Sequence, residues 1–355
     1  MRKSTILLFL IFNCSFAQES EIWYSFYNAD STLVGFKDVA ENVKIEPKFG
    51  VISNAYKFDK IMAVSEPTEK STKYYYLTKT GKKVGIDSLY IFDNGFDCEN
   101  EGFIRFKDNK NDKVGLFDAN GKIVIPAVYS AISKVQNGKL FTLCNATKIQ
   151  DGEHFFWKDG TQSLIDTQNN TLIDNFRLDE NINLYSIKIE DNLIEKEVIR
   201  DYFKGKNGKT YSFINYEKEF KFWLETVFKN DLNSEKITYY SFEKISYWDD
   251  DKGWILTKNN EMPTDVMTKI IKKLNAINDN SKVYRIFNES LNPYIYETPE
   301  FDVFFNNCVE AIPEKYPVMN VVIDGRKRYK YVQDQFEFLR TEDGYKLVGV
   351  SIRSN

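Results

Sequence analysis

Residues 113–132 read KVGLFDANGKIVIPAVYSAI, and the interpretation of this stretch decides the architecture of the first half of the chain. Gly115-Leu116-Phe117-Asp118 has the composition of a short strand. Asn120-Gly121 supplies residues that accept the positive φ angles of a two-residue type I′ turn, and residues 122–125 return as a second strand. Pro126 has no N–H to donate, so strand pairing is expected to stop there. Tyr129 and Ile132 follow as apolar anchors, and Asn137-Gly138 turns the chain into a third strand at residues 139–143.

The same order of residues occurs eighty positions earlier. Val34-Gly35-Phe36-Lys37-Asp38 aligns with residues 114–118, and Val43-Lys44-Ile45 aligns with residues 123–125. Phe49 then falls on Tyr129 and Ile52 on Ile132. A weaker copy lies halfway between, with Gly81 on Gly121, Tyr75-Tyr76-Leu77 before it, and residues 101–106 as the next turn and strand. Degenerate copies follow at residues 164–173, and at Tyr202-Phe203 with Asn207-Gly208-Lys209. A lone ribbon cannot hide its apolar side chains from water, so units of about forty residues must stack on one another. The expectation is a β-rich repeat array of antiparallel hairpins, solenoid- or propeller-like, over residues 18–205.

These residues resemble the WG (KWG) repeat, a β-rich unit of bacterial proteins. Gly115, Asp118, Gly121, Ile125, Pro126 and Tyr129 carry the likeness; Gly35, Asp38, Ile45 and Phe49 echo it, with Pro47 displaced by one. The tryptophan position of the repeat is occupied by Val114 and Val34. The resemblance covers roughly residues 30–200. It implies a repeat array and brings no catalytic residue with it; the elongated face of such an array suits a binding surface or a spacer.

Beyond residue 205 the period changes. Phe220, Trp223, Leu224, Val227 and Phe228 fall at helical spacing, and Met262-Pro263-Thr264-Asp265 opens a second helix with Val266, Ile270, Ile271, Leu274 and Ile277 on one stripe. Residues 298–312 predict a third helix, with Thr298 as cap and Phe301, Phe304, Phe305, Cys308, Val309 and Ile312 on one face. The end reads as a three-strand meander turned at Asp324-Gly325 and Asp343-Gly344. Residues 206–355 are therefore expected to form an α+β domain.

Arg2-Lys3, an apolar run at residues 6–12 and the small residues of Ser15-Phe16-Ala17 make residues 1–17 a secretory signal, too short for a stable span. A lipoprotein signal ending at Cys14 fits less well, because Phe12 and Asn13 precede the cysteine where small residues are wanted. The mature chain carries 46 basic against 52 acidic residues, a net charge of −6, which gives no counterion-release advantage on nucleic acid. An extracytoplasmic location in periplasm, surface or medium follows, with no transmembrane span after cleavage. Cys98, Cys144 and Cys308 remain; Cys98 with Cys144 is the candidate pair, and the odd count favours buried apolar thiols over a disulfide framework.

Chemistry is sparse. His154 is the only histidine and no nucleophile motif accompanies it. His-rich or paired-Cys zinc sites, a Walker loop and a dinucleotide fingerprint are missing, so no metal or cofactor is expected. Asp249-Asp250-Asp251 and Asp108–Asp112 read as solvated turns rather than calcium loops. Tyr239-Tyr240, Tyr294, Tyr296 and, above all, Tyr247, Trp248 and Trp254 concentrate aromatic rings that suit a sugar or peptide platform or a packed core. The reading is an exported, non-enzymatic binding or scaffold module of the cell envelope, with a protein or envelope component as partner. Its rivals are a carboxylate-based hydrolase in residues 210–355 and a small glycan- or peptide-binding protein.

Overall fold

The computed structural model describes residues 21–53, 55–92, 94–192, 195–277, 284–327 and 330–353; the expected leader, with Cys14, lies outside the described residues. Five antiparallel sheets of three or four strands follow one another along residues 23–215, with two further two-stranded ribbons, Ile91–Phe92 with Gly95–Phe96 and Thr147–Asp151 with His154–Lys158, among the described residues. The first holds Trp23–Tyr27, Leu33–Lys37 and Val43–Gly50, with Lys57–Phe58 at its edge; the second holds Ile61–Pro67, Thr72–Thr78 and Lys83–Val84. The third is Phe103–Asp108, Lys113–Asp118 and Ile123–Tyr129. The fourth is Ala131–Ile132, Lys139–Cys144, Thr161–Asp166 and Thr171–Asp174. The fifth places Thr210–Asn215 between Ile182–Glu190 and Arg200–Lys204.

One turn recurs in all five. The Asp38 N–H donates to Asn42 O and the Glu41 N–H donates to Asp38 O, at 3.0 and 3.1 Å. The same two bonds join Thr78 with Lys82 and Gly81, Asp118 with Lys122 and Gly121, Asp166 with Asn170 and Asn169, and Gly205 with Lys209 and Gly208. In each turn the fourth residue has positive φ: Glu41 +67°, Gly81 +86°, Gly121 +66°, Asn169 +67° and Gly208 +83°. This is the three-residue hairpin loop, a type I turn closed by one left-handed residue, and not the two-residue type I′ turn expected at Asn120-Gly121. The repeated aspartate has a local reason. Asp118 Oδ1 accepts from the Asn120 and Lys122 N–H groups at 2.9 and 2.8 Å, and Asp38 and Asp166 do the same in their own turns. The carboxylate thus fixes the loop without help from distant residues.

Pairing does not stop at Pro126; it skips. Leu116 pairs with Ile125 and Val114 with Tyr129, so the strand bulges over residues 126–128. The first sheet bulges identically, with Phe36 on Ile45 and Val34 on Phe49. The bulge brings a carbonyl over the glycine of the facing strand. A Cβ on Gly115 would sit 2.7 Å from Ile125 O, and one on Gly35 would sit 2.5 Å from Ile45 O and 2.7 Å from Pro47 N. Tyr129 is buried as its alignment with buried Phe49 predicts, but Ile132 is buried while Ile52 is exposed, so the likeness ends at the aromatic anchor.

The sheets share their cores. Met62, Val64, Tyr75 and Leu77 pack with Val34, Phe36 and Phe49 of the first sheet, whereas Ile61, Ala63 and Tyr76 pack with Ile104, Phe106 and Phe117 of the third. Val114 and Leu116 join Leu140 and Ile165, and Phe141 and Leu164 join Leu184 and Phe213. Successive side chains of a strand point to opposite faces, so each inner sheet lies between two apolar clusters.

The second half is built on a mixed six-stranded sheet in the order Gly253–Lys258, Ser241–Asp249, Gly344–Ser351, Lys330–Thr341, Val318–Lys327, Tyr284–Glu289. Ser241–Asp249 runs parallel to Gly344–Ser351, and the other pairs are antiparallel. Helices α1 (Tyr216–Trp223), α2 (Ser234–Tyr239) and α3 (Thr264–Asn275) contribute to the main core, where Phe220, Ile237, Ile270 and Leu274 meet Met319, Phe336, Phe338 and Leu347. The last three strands form the expected meander, but Asp324-Gly325 lies within a strand, paired with Gln333 and Val332, instead of turning it.

The expected helix at residues 298–312 is only a 3-10 turn, Pro299–Phe304. Asn306 Oδ1 accepts from the Cys308 and Glu310 N–H groups, folding residues 305–311 into a small loop closed by the Phe305–Ala311 bridge. Phe301 and Phe304 stay in a core beneath the sheet while Cys308 leaves it.

Candidate functional site

Among the sequence candidates, Gly35, Asp38, Gly81, Gly115, Asp118, Gly121, Pro126 and Tyr129 all belong to the turns, bulges and cores just described. Tyr247 is buried in the main core. Trp248 and Trp254 pair across the outermost hairpin of the six-stranded sheet, 5.7 Å apart and edge-to-face, with the Arg353 guanidinium 4.5 Å from the Trp248 ring. Tyr240 packs on Trp223, Tyr296 is buried, and Tyr239 and Tyr294 are exposed. These rings do not converge on one platform. Asp249 Oδ1 accepts from the Asp251 and Lys252 N–H groups and Asp108 Oδ1 from Lys110 and Asn111, so both acidic stretches are self-capped turns. His154 stands exposed on a hairpin.

Sequence reasoning missed the element that organises the molecule. Residues 290–317, between Tyr284–Glu289 and Val318–Lys327, form an arm that crosses to the repeat sheets. Cys308 is bonded to Cys98, with Cα atoms 6.1 Å apart, and Cys144 is the free thiol among the described residues. This overturns both the candidate Cys98–Cys144 pair and the expectation of buried free thiols at Cys98 and Cys308. The Tyr56 and Lys57 N–H groups donate to Asn307 O at 2.8 and 2.9 Å, and Lys134 pairs with Glu310 at 2.6 Å. On the same side, Asn288 Nδ2 donates to Glu180 O. No local pattern announces such a crossing.

Between the arm and the repeat sheets lies a cleft of about 430 Å³. Its walls carry Arg105 and Lys134 from the repeat sheets, Asp179 and Glu180 from the segment before the fifth sheet, and Glu289 and Glu314 from the second half. Both cations are already engaged. Arg105 forms a two-pronged pair with buried Asp97, donates to Ile132 O and lies 4.3 Å over the Tyr90 ring. Lys134 holds Glu310. The four carboxylates have no ion-pair partner among the described residues, although Glu289 accepts from Asn320 Nδ2 at 2.9 Å. Asn288 Oδ1, on the same wall, is a buried acceptor with no donor among the described residues. The cleft therefore offers acceptors and negative charge and keeps its positive charges neutralised.

Behind Glu289 is a second carboxyl, Glu337. It is pushed up to about 7, first by burial and then by the Glu289 charge. Tyr296 Oη donates to Glu337 Oε2 at 3.4 Å, and Ser246 Oγ lies 2.8 Å from Tyr296 Oη. Glu337 does not line the cleft, and a Cβ on Gly349 would lie 2.2 Å from Oε2, so the group is enclosed by packing. Its pKa has a stability consequence. A carboxyl raised on folding binds its proton more tightly in the native state, so stability falls as pH rises from about 4.5 to about 7 and is lower by a constant amount above that. Glu337→Gln is expected to raise stability at pH 8 by about 2 kcal/mol and to leave it unchanged at pH 4. Urea unfolding at the two pH values checks this; an equal effect at both would contradict it.

Compared with protein-family models, with curated proteins and with solved structures, the chain matches none.

Proposed function

We propose that this is an extracytoplasmic, non-enzymatic binding protein of the WG-repeat type, in which a propeller- or solenoid-like stack of repeat sheets and an α+β unit jointly hold a ligand in the cleft between them. The observation that carries the reading is the acceptor-rich cleft wall, where Asp179, Glu180, Glu289 and Glu314 line a space of ligand size. The chemistry selects a partner bearing an ammonium or guanidinium group, such as a basic peptide segment of an envelope protein or a small amine. The Cys98–Cys308 bond supports export, because disulfides persist in oxidising compartments. The hydrolase reading is weaker, since Glu337, a carboxyl of that region pushed up to about 7 by burial, is packed away from the cleft.

Crosslinking in intact cells tests the proposal, with wild type compared with an Asp179→Lys, Glu180→Lys variant. Both side chains are exposed, so the fold tolerates the change. The wild type is expected to recover a defined set of envelope neighbours and the variant to lose them at unchanged melting temperature. Identical recovery by both would remove the cleft from the function.

A further inference from the structure

The link between Lys139–Cys144 and Thr161–Asp166 of the fourth sheet differs from its equivalents in the earlier sheets. In the first three sheets it is a short turn, at residues 28–32, 68–71 and 109–112. In the fourth it spans residues 145–160 and rises into a separate ribbon of Thr147–Asp151 and His154–Lys158, which pairs with no other strand among the described residues. Phe155 and Phe156 are exposed, and they lie on opposite faces because successive strand residues alternate. Phe155 stands edge-to-face with Trp157 at 5.8 Å, and the Lys148 ammonium lies 4.0 Å from the Phe155 ring. An isolated two-stranded ribbon with rings on both faces is marginal in water. A flat partner would cover only one face.

The register fixes which main-chain groups of the ribbon point outward. Gly152, at φ +62°, opens a two-residue turn closed by the Asp151–His154 pair. In such a hairpin the closing pair exchanges hydrogen bonds and alternate pairs follow suit, so Asp151–His154, Ile149–Phe156 and Thr147–Lys158 bond inward. The main-chain N–H and C=O groups of Phe155 and Trp157 therefore point outward, along a free edge with no proline, bulge or inward charge to block it.

We infer that this edge pairs with the same edge of a second copy of the chain, antiparallel about a two-fold axis at Phe156. In that register Phe155 and the partner's Trp157 exchange both main-chain hydrogen bonds, as do Trp157 and the partner's Phe155. Phe156 stands directly opposite the partner's Phe156. Rings thus meet rings on both faces, the kind of cross-strand pair that stabilises sheets, and two marginal ribbons become one four-stranded sheet. The sequence His154-Phe155-Phe156-Trp157-Lys158 is near-palindromic in ring positions about Phe156, as a two-fold contact requires.

The experiment uses the full mature chain. Analytical ultracentrifugation is expected to show a concentration-dependent dimer. Phe155→Pro removes only an outward N–H, so the ribbon can persist while the dimer dissociates at least tenfold more readily. In a Cys144→Ser background, Phe156→Cys is expected to form an intermolecular disulfide without added crosslinker, because residues facing each other in a non-hydrogen-bonded pair have Cα atoms about 4.5 Å apart. His154→Cys, facing the partner's Lys158, is expected to form none. A monomer at every concentration up to about 100 μM overturns the inference, as does a dimer indifferent to Phe155→Pro, or crosslinking as efficient at residue 154 as at residue 156.

Discussion

Replacing Cys308 by serine lowers the stability of the chain by about 5 kcal/mol, the largest effect expected of any single substitution considered for this protein. The bond closes a loop with a sequence separation of 210 residues, and the chain entropy it removes from the unfolded state grows with loop length. Little else fastens the tip of the arm. The Lys134–Glu310 and Lys57–Asp302 pairs are partly exposed and contribute a fraction of a kcal/mol each, which leaves the two bonds to Asn307 O. Cys98→Ser is expected to match Cys308→Ser, and the double variant to cost no more than either, because all three remove one bond. Cys144→Ser is the control and stays within about 0.5 kcal/mol of wild type. Denaturant unfolding of the four variants beside wild type decides the matter; a loss below about 1 kcal/mol for Cys308→Ser would show that noncovalent contacts alone hold the arm.

The second large effect comes from the repeat itself. Gly35→Ala and Gly115→Ala are each expected to cost about 3 kcal/mol, since at both the new methyl meets a backbone carbonyl that cannot rotate away. At Gly35 the obstacles are Ile45 O, Pro47 N and the Glu46 carbonyl carbon, all within 2.9 Å; at Gly115 the Phe106 ring is added at 2.6 Å. Gly81→Ala is the informative contrast. Nothing lies within 4 Å of a Cβ there, so only the left-handed backbone at φ +86° is penalised, by about 1 kcal/mol. Equal losses at Gly35, Gly115 and Gly81 would mean that the bulged carbonyl does not set the requirement for glycine.

Both glycine positions and the five turns were legible because their causes are local. Asp118 and Gly121 make their loop from bonds spanning four residues, so the pattern of one copy identifies the rest. The turn type differs from the expected two-residue form because Asn120-Gly121 suits either loop, and the three-residue loop is held by Asp118 Oδ1 accepting from the Asn120 and Lys122 N–H groups. Residues 298–312 mislead for a different reason. Phe301, Phe304 and Cys308 keep helical spacing, yet the two phenylalanines serve the core under the six-stranded sheet and the cysteine serves the first repeat core. Periodicity records that residues are buried and not that one surface buries them.

By itself the sequence determined the β-ribbon unit, its spacing and the need for neighbouring units to cover one another, since those follow from turn chemistry and from apolar residues on both faces of short strands. The tertiary structure alone decided the Cys98–Cys308 bond, the arm it tethers and the acidic cleft beneath, because these join residues as far as 210 positions apart that no periodicity relates. Which distant partner a residue meets is settled by the relative placement of whole sheets, and that placement is the sum of many weak contacts that no short stretch of chain contains.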